Sequence, residues 1–472
     1  MTCWHDIEQG ERLKDRMNRI LRLSSLLLVC VLPMTAQLLE QPEQTGHDHA
    51  GHQQPAETHP DHDMSQMPGM QHDHMQPERF IDEILNHATS GTSAEPNSTP
   101  LPMLMFTPNQ WRLMLHGTAF VNALQQSGPR GGDKVFATGW FMFMAQREVP
   151  HGEFTIRAML SPEPLTVTHR FYPELFQQGE TAFGRPIADG QHPHDFLMEI
   201  AALYDLKLGK NALLSFYAAP VGDPAIGPSA YAHRTSASEN PMATLGHHMQ
   251  DSTHIADDVV TMGLTYRAVR VEASGFHGRE PDEFRWNLDQ GRIDSWSTRL
   301  TVQPRQNWSA QYSFAHLISP EAQNPRADVQ RMTASVMHNF PFRNGNVATT
   351  LLWGRNRELS SGAVFNGYLA ESTVRFLQSN YLWGRIENAD RTTELLSGVP
   401  GIVLPAGEGF LARVQASSLG YGKEFHWIPH FQTELGGQVT FYRKPNFLTP
   451  IYGHHPTGLT LFLRMRLANP IG

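Results

Sequence analysis

The chain has 472 residues, 18% of them charged, and a formal charge of −9 with no basic stripe, which excludes nucleic acid as the expected partner. Its mean hydropathy is −0.39, and no window holds the ~20 consecutive apolar residues of a spanning helix, so a helical membrane protein is excluded as well. A transmembrane β-barrel is not, because its apolar residues fall at every second position and leave the average low.

In chain order, "MNRILRLSSLLLVCVLPMTAQ" (17–37) carries Arg19 and Arg22, an apolar run from Leu26 to Leu32 and small residues ending at Ala36. This is the pattern of a secretory signal peptide, predicted over residues 1–36 with cleavage after Ala36. The acidic preamble before Met17 does not suit such a signal, so Met17 is the expected start of translation. Both cysteines, Cys3 and Cys30, fall in the segment to be removed. The mature chain is then expected to have no disulfide, no thiolate metal site and no cysteine nucleophile.

Residues 37–78 are rich in Gln, His, Pro, Asp and Met and cannot bury a core, so they are predicted to be disordered. They carry His47, His49, His52, His59, His62, His72 and His74 beside Met64, Met67, Met70 and Met75. Imidazole suits Cu(II), nickel and zinc, whereas the soft thioether selects Cu(I). In "MSQMPGM" three methionines stand three apart, so a flexible chain can turn their sulfurs onto one ion. Zinc alone would account for the histidines but not for the methionines, so copper is the first expectation, with zinc and nickel behind it. The competing reading is a solvated tether whose histidines are incidental.

"PERFIDEILNHAT" places Phe80, Ile81, Ile84 and Leu85 at helical spacing, predicting one short amphipathic helix. "SGTSAEPNSTPLP" (90–102) reads as a linker, and together these form a segment 79–107 ahead of a domain spanning 108–472.

From Trp111 the pattern becomes strict alternation. In "VVTMGLTYRA", Val260, Met262, Leu264 and Tyr266 share one face, while Thr261, Gly263, Thr265 and Arg267 share the other. The same period of two runs through "SWSTRLTVQ", "NWSAQYSFAH" and "LTLFLRMRL" and marks half-buried strands. Strands are predicted near 111–124, 135–147, 153–161, 195–208, 211–220, 257–268, 270–279, 294–304, 307–318, 328–340, 346–357, 363–377, 379–390, 409–421, 430–442 and 458–467, sixteen in all. Every second connection is short ("VPHG", "LGK", "QPRQ", "FRNG"), with "GKEFHWIPH" longer, and the others include two of more than thirty residues. Short turns at one end and long loops at the other predict an all-β fold, a transmembrane antiparallel barrel of about 16 strands in outer-membrane lipid. The inward faces would carry Arg157, Glu199, Asp205, Arg267, Arg299, Arg331, Arg464 and Arg466, a polar lumen.

Two further ligand sets fall on this domain. His192, His194, Asp195, His247, His248 and His254 occupy two long loops and form a candidate metal site if those loops fold inward. Met114, His116 and Met159 fall on inward faces and form a candidate lumenal Met/His track. Met142 and Met144 share one face of a strand that is apolar on both sides, so their direction is open. "HRTSAS" and "DSTH" set Ser near His only in predicted loops, and no enzyme is expected.

The order of signal peptide, "HPDHDMSQMPGMQHDHM" (59–75) and barrel resembles the copper-resistance protein B family of Gram-negative bacteria. That resemblance implies copper tolerance by sequestration or export at the outer membrane, with metal ions and periplasmic metal-handling proteins as partners. "GHHMQDSTHI" and "GREPDEFRWN" resemble stretches of long uncharacterised bacterial outer-membrane proteins and carry over no activity. A small-solute porin with an incidental His-rich tether is the first alternative function, and an outer-membrane lipid hydrolase the second.

Overall fold

The computed structural model describes residues 77–251, 256–321, 325–404, 409–428 and 430–467. The predicted signal peptide, the His/Met tract with its candidate ligands from His47 to Met75, and His254 lie outside the described residues.

Sixteen antiparallel strands make one closed sheet. They are β1 (Trp111–Gln126), β2 (Asp133–Val149), β3 (Gly152–Leu160), β4 (Leu197–Lys207), β5 (Ala212–Gly222), β6 (Ala256–Tyr266), β7 (Val269–His277), β8 (Ser295–Arg305), β9 (Trp308–Leu317), β10 (Val329–Phe342), β11 (Gly345–Glu358), β12 (Val364–Phe376), β13 (Asn380–Thr392), β14 (Phe410–Ile428), β15 (Phe431–Arg443) and β16 (Thr457–Leu467). Each pairs with the next, and β1 pairs with β16 from Thr118↔Arg466 to Gln126↔Gly458 to close the barrel. A three-residue strand, Leu104–Phe106, fills the rest of that seam against β1. One boundary differs from expectation. β14 runs on through Lys423↔Leu435, Glu424↔Glu434 and Phe425↔Thr433, so "GKEFHWIPH" is mostly strand rather than turn. There the strand ends in exposed His426, Trp427 and Ile428, and the inside–outside alternation that marks a strand in the sequence is lost.

Burial is inverted relative to a soluble protein. Met262 and Leu264 on β6 are 55% and 51% exposed, whereas Arg270 and Glu272 on β7 are 2% and 1%. Apolar side chains outside and charged ones inside fit a wall that faces lipid and a lumen that is polar. Arg267 departs from its predicted inward place. It sits in the β6–β7 turn, exposed, with its guanidinium 5.4 Å from the Tyr266 ring.

Two segments fill the lumen. The first begins with α1 (Phe80–Asn86), held at the short-turn end where Arg79 donates to the Lys210 carbonyl and Gln306 to the Glu78 carbonyl. Phe80, Ile81 and Ile84 pack against Ala94 and Leu213. His87 ends the helix in the left-handed region at φ 48°, and its Nε2 lies 2.7 Å from Asp205. Residues 90–102, linker-like in composition, then thread through the barrel. Small side chains allow this, and Gly91 requires it: at φ +57° a Cβ there would stand 2.6 Å from that of Asp223. The wall supplies the missing backbone partners. Arg157 donates to the carbonyls of His87, Thr89 and Gly91, Gln303 to that of Glu95, and Asn339 to that of Ser98.

The second segment is the loop after β5, which crosses the lumen instead of extending from the barrel. Ala225 and Gly227 donate to Ser274 and Ser313 on one side. Arg234 pairs with Glu371 at 2.8 Å, Glu239 with Arg464, and Arg385 donates to the carbonyls of Met242 and Ala243 on the other. Ser93 donates to Ser229, joining the two segments directly. A cavity of about 140 Å³ lies between them.

Candidate functional site

The inward loop brings a helical turn, His247–Gln250, against the wall of β11 and β12. Gly354 and Gly367 face each other across that strand pair and leave a dent. A Cβ on Gly354 would stand 2.1 Å from the Met249 carbonyl oxygen, so only glycine admits the turn. The loop between β3 and β4 folds in beside it. His192, His247 and His248 then converge, each offering a ring nitrogen within 4.8 Å of the others, and all three are buried. Two long loops therefore supply one imidazole cluster in the lumen.

The surroundings hold these rings in place. His247 Nδ1 lies 2.6 Å from the Thr244 carbonyl, which can only accept, so Nδ1 carries the proton and Nε2 presents its lone pair. His192 is held from both sides, its Nδ1 3.0 Å from the Pro193 carbonyl and its Nε2 hydrogen-bonded to the Glu180 carboxylate at 2.6 Å. Burial would raise the Glu180 carboxyl, but His192 and Arg285 beside it bring it down to about 2. Burial lowers all three imidazoles, His248 to about 4, with Glu180 only partly offsetting it at His192 and His248. At neutral pH they are the uncharged rings that metal ions bind.

The remaining described residues of this candidate set, His194 and Asp195, are engaged next to the cluster rather than within it. His194 Nδ1 lies 2.9 Å from Glu163; burial alone would lower its pKa, but the Glu163 carboxylate carries it above the usual imidazole range. Asp195 pairs with Arg285 at 3.2 Å, and burial pushes its carboxyl up to about 7. Glu180, Glu280, whose carboxylate lies 3.3 Å from His248 Nδ1, and the Gly354 dent had no signal in the sequence, because each acts through a fold that joins distant loops. His454 and His455, in a third loop, are exposed.

Met114, His116 and Met159 all lie on the inward face and are buried. Met142 and Met144 join them, with Phe143 between them pointing out at 47% exposure, which settles the direction of that strand. The inward loop adds His233, whose Nε2 stands 3.1 Å from Met159 Sδ. Burial keeps His233 well below the usual imidazole range, with His116 and Arg157 adding to the effect. The serines of "HRTSAS" are taken up by structure: Ser236 donates to Glu371 and Ser238 to Glu239.

No family model matches the chain, and no curated protein matches it in sequence. Among solved structures it is similar to an anion-selective porin from Comamonas acidovorans, at 11% identity over 76% of this chain and 100% of that one, with a TM-score of 0.44. It is also similar to Salmonella typhi OmpF in complex with daunomycin, at 9% identity over 77% and 100% of the two chains and a TM-score of 0.46. A third is the outer-membrane channel DcaP of Acinetobacter baumannii, at 10% identity over 77% and 99%, with a TM-score of 0.41.

Proposed function

We propose that this is an outer-membrane barrel that binds a transition-metal ion inside its lumen, copper first with zinc and nickel behind it, and serves metal tolerance or export. The observation that carries this is the meeting of three neutral, buried imidazoles from two loops within 4.8 Å. Hydrogen bonding between loops does not need three such rings at one point, and each uncharged ring buried there costs solvation that an ion would repay. The described chain begins at Pro77, whose carbonyl accepts from Asn97 at the short-turn end. That end faces the periplasm in outer-membrane barrels. The tract of His47 to Met75 precedes it in sequence and is suited to collect the ion there, which agrees with its resemblance to the copper-resistance protein B family.

Metal analysis of the purified full-length protein after dialysis against Cu(II) or Zn(II) tests this reading. The variant carrying His192→Gln, His247→Gln and His248→Gln should bind one equivalent fewer than the wild type, with the tract contributing equally to both. Equal stoichiometry would sink the lumenal site.

A second reading, a small-solute channel, is favoured by the closed sixteen-strand wall and its inward charges of both signs, among them Arg157, Arg299, Glu199 and Glu272. The two segments across the lumen oppose a wide-open pore. Conductance in planar bilayers separates the readings, since a channel passes current without metal.

A further inference from the structure

We propose that His116, Met142, Met159 and His233 form a second metal site, one that takes a soft monovalent ion, Cu(I) or its redox-stable analogue Ag(I). It shares no residue with the imidazole cluster and stands even if that cluster binds nothing.

The barrel register builds three of the four ligands into a row. His116 on β1 is directly opposite Met142 on β2, and Met142 is directly opposite Met159 on β3. Side chains opposite one another on one face of antiparallel strands have Cβ atoms about 4.5–5.5 Å apart, so the row is contiguous across three strands. His116 Nε2 stands 3.0 Å from Met142 Sδ, and His233 Nε2 stands 3.1 Å from Met159 Sδ. The two imidazole centroids are 6.3 Å apart, and the Trp140 ring lies 3.9 Å from His233 and 5.1 Å from His116. Two nitrogen–sulfur pairs thus lie side by side, three of the four residues on adjacent wall strands and one on the loop that crosses the lumen.

Methionine commonly fills gaps in apolar cores, and Met114, Met144 and Met198 in the same cluster are placed to do that. The four named residues are arranged differently. Packing sets carbon against carbon, whereas here each imidazole nitrogen is aimed at a thioether sulfur, a weak hydrogen-bond partner and a good ligand. The donor set has no carboxylate and is neutral. Soft, uncharged donors select Cu(I) over Zn(II), and bringing one positive charge into such a site costs less desolvation than bringing two. The approach is also present. The cavity of about 140 Å³ is lined by His116, Trp140 and His233 on the side of this site, with Glu95 and Glu239 elsewhere on its wall, so both imidazoles border open space inside the barrel.

The test is methyl NMR of the full-length protein with 13C-methyl methionine, titrated with Ag(I). Met142→Leu and Met159→Leu, near-isosteric changes, assign the two resonances, each variant being checked for folding by its heat-dependent gel mobility. The Met142 and Met159 methyls are expected to shift together and saturate with one Ag(I), while Zn(II) leaves both in place. His233→Gln, which retains both methionines, should abolish the shift and provides the test by itself if a leucine variant does not fold. Should Ag(I) move only Met64, Met67, Met70 and Met75 of the tract, the site does not exist. Shifts of Met142 and Met159 that survive His233→Gln would overturn the four-residue ligand set.

Discussion

The Arg157 guanidinium and the Glu199 carboxylate meet at 2.7 Å on adjacent strands, and neither side chain touches solvent. Arg157 also donates from its two terminal nitrogens to the carbonyls of His87, Thr89 and Gly91, while Glu199 accepts from the Gly91 amide and the Tyr217 hydroxyl. One ion pair thus closes the wall around the N-terminal insert. Arg157→Leu strands a buried carboxylate and three carbonyls, and about 3–5 kcal/mol of stability should be lost. Urea unfolding in detergent reads this. Arg299→Gln is expected to cost less, about 1–3 kcal/mol, because Glu272 retains Arg270 at 3.1 Å when Arg299 is lost. Equal costs for the two variants would contradict the role given to Arg157.

Deletion of residues 80–102 should open the lumen. The insert satisfies wall groups from β3 to β10 across the barrel, and its removal leaves a water-filled passage bounded by the inward loop. Single-channel conductance of the deletion variant is expected to exceed that of the full chain several-fold, and unchanged conductance would show that the loop alone sets the passage.

Gly354→Ala tests how the imidazole cluster is positioned. The new methyl group has no room beside the Met249 carbonyl, so the turn bearing His247 and His248 must lift. Overpacking of this kind costs about 1–3 kcal/mol, and the displaced rings should bind Cu(II) about 10- to 100-fold more weakly. Gly384→Ala, on β13, where the backbone is not left-handed and a Cβ meets only the Ser418 carbonyl oxygen at 3.6 Å, is the control for a glycine change that leaves the turn in place.

The inward loop should loosen in acid. Burial would raise the Glu239 carboxyl, but Arg464 and then Arg466 hold it down to about 2. Glu434 also faces this group, paired with Arg464 at 2.6 Å, and Ser238 donates to Glu239 from its own loop. Because the folded pKa lies below that of an ordinary carboxyl, the stabilisation is present above about pH 4.5 and is lost as pH falls toward 2. The hydrogen-exchange protection of residues 233–245, taken relative to the intrinsic amide rate at each pH, should fall over that window in the wild type. In Glu239→Gln that protection should be low throughout and nearly independent of pH.

Strand positions could be read from the chain because lipid and lumen impose opposite demands on successive residues. Val260, Met262 and Leu264 point out and Thr261 and Thr265 point in, and that contrast survives in sequence. Where both faces are apolar it does not. Phe141 and Phe143 alternate with Met142 and Met144, and only the ladder with β1 and β3 decided which pair faces the lumen. Beyond the apolar band the signal also fades, as it does where β14 continues to Ile428.

By itself the sequence determined sixteen strands, the faces of those with one polar side and the alternation of short and long connections, because each of these follows from the environment of a residue and its near neighbours. The tertiary structure decided what fills the lumen. A Ser-, Thr- and Pro-rich stretch reads as a solvated linker until Arg157, Gln303 and Asn339 appear around it as donors, and a long loop reads as external until Glu371, Arg385 and Arg464 pin it inside. The convergence of His192 with His247 and His248, and of His233 with Met159, spans 55 or more positions of sequence in each case. Closure of the barrel, not any local preference, makes those residues neighbours.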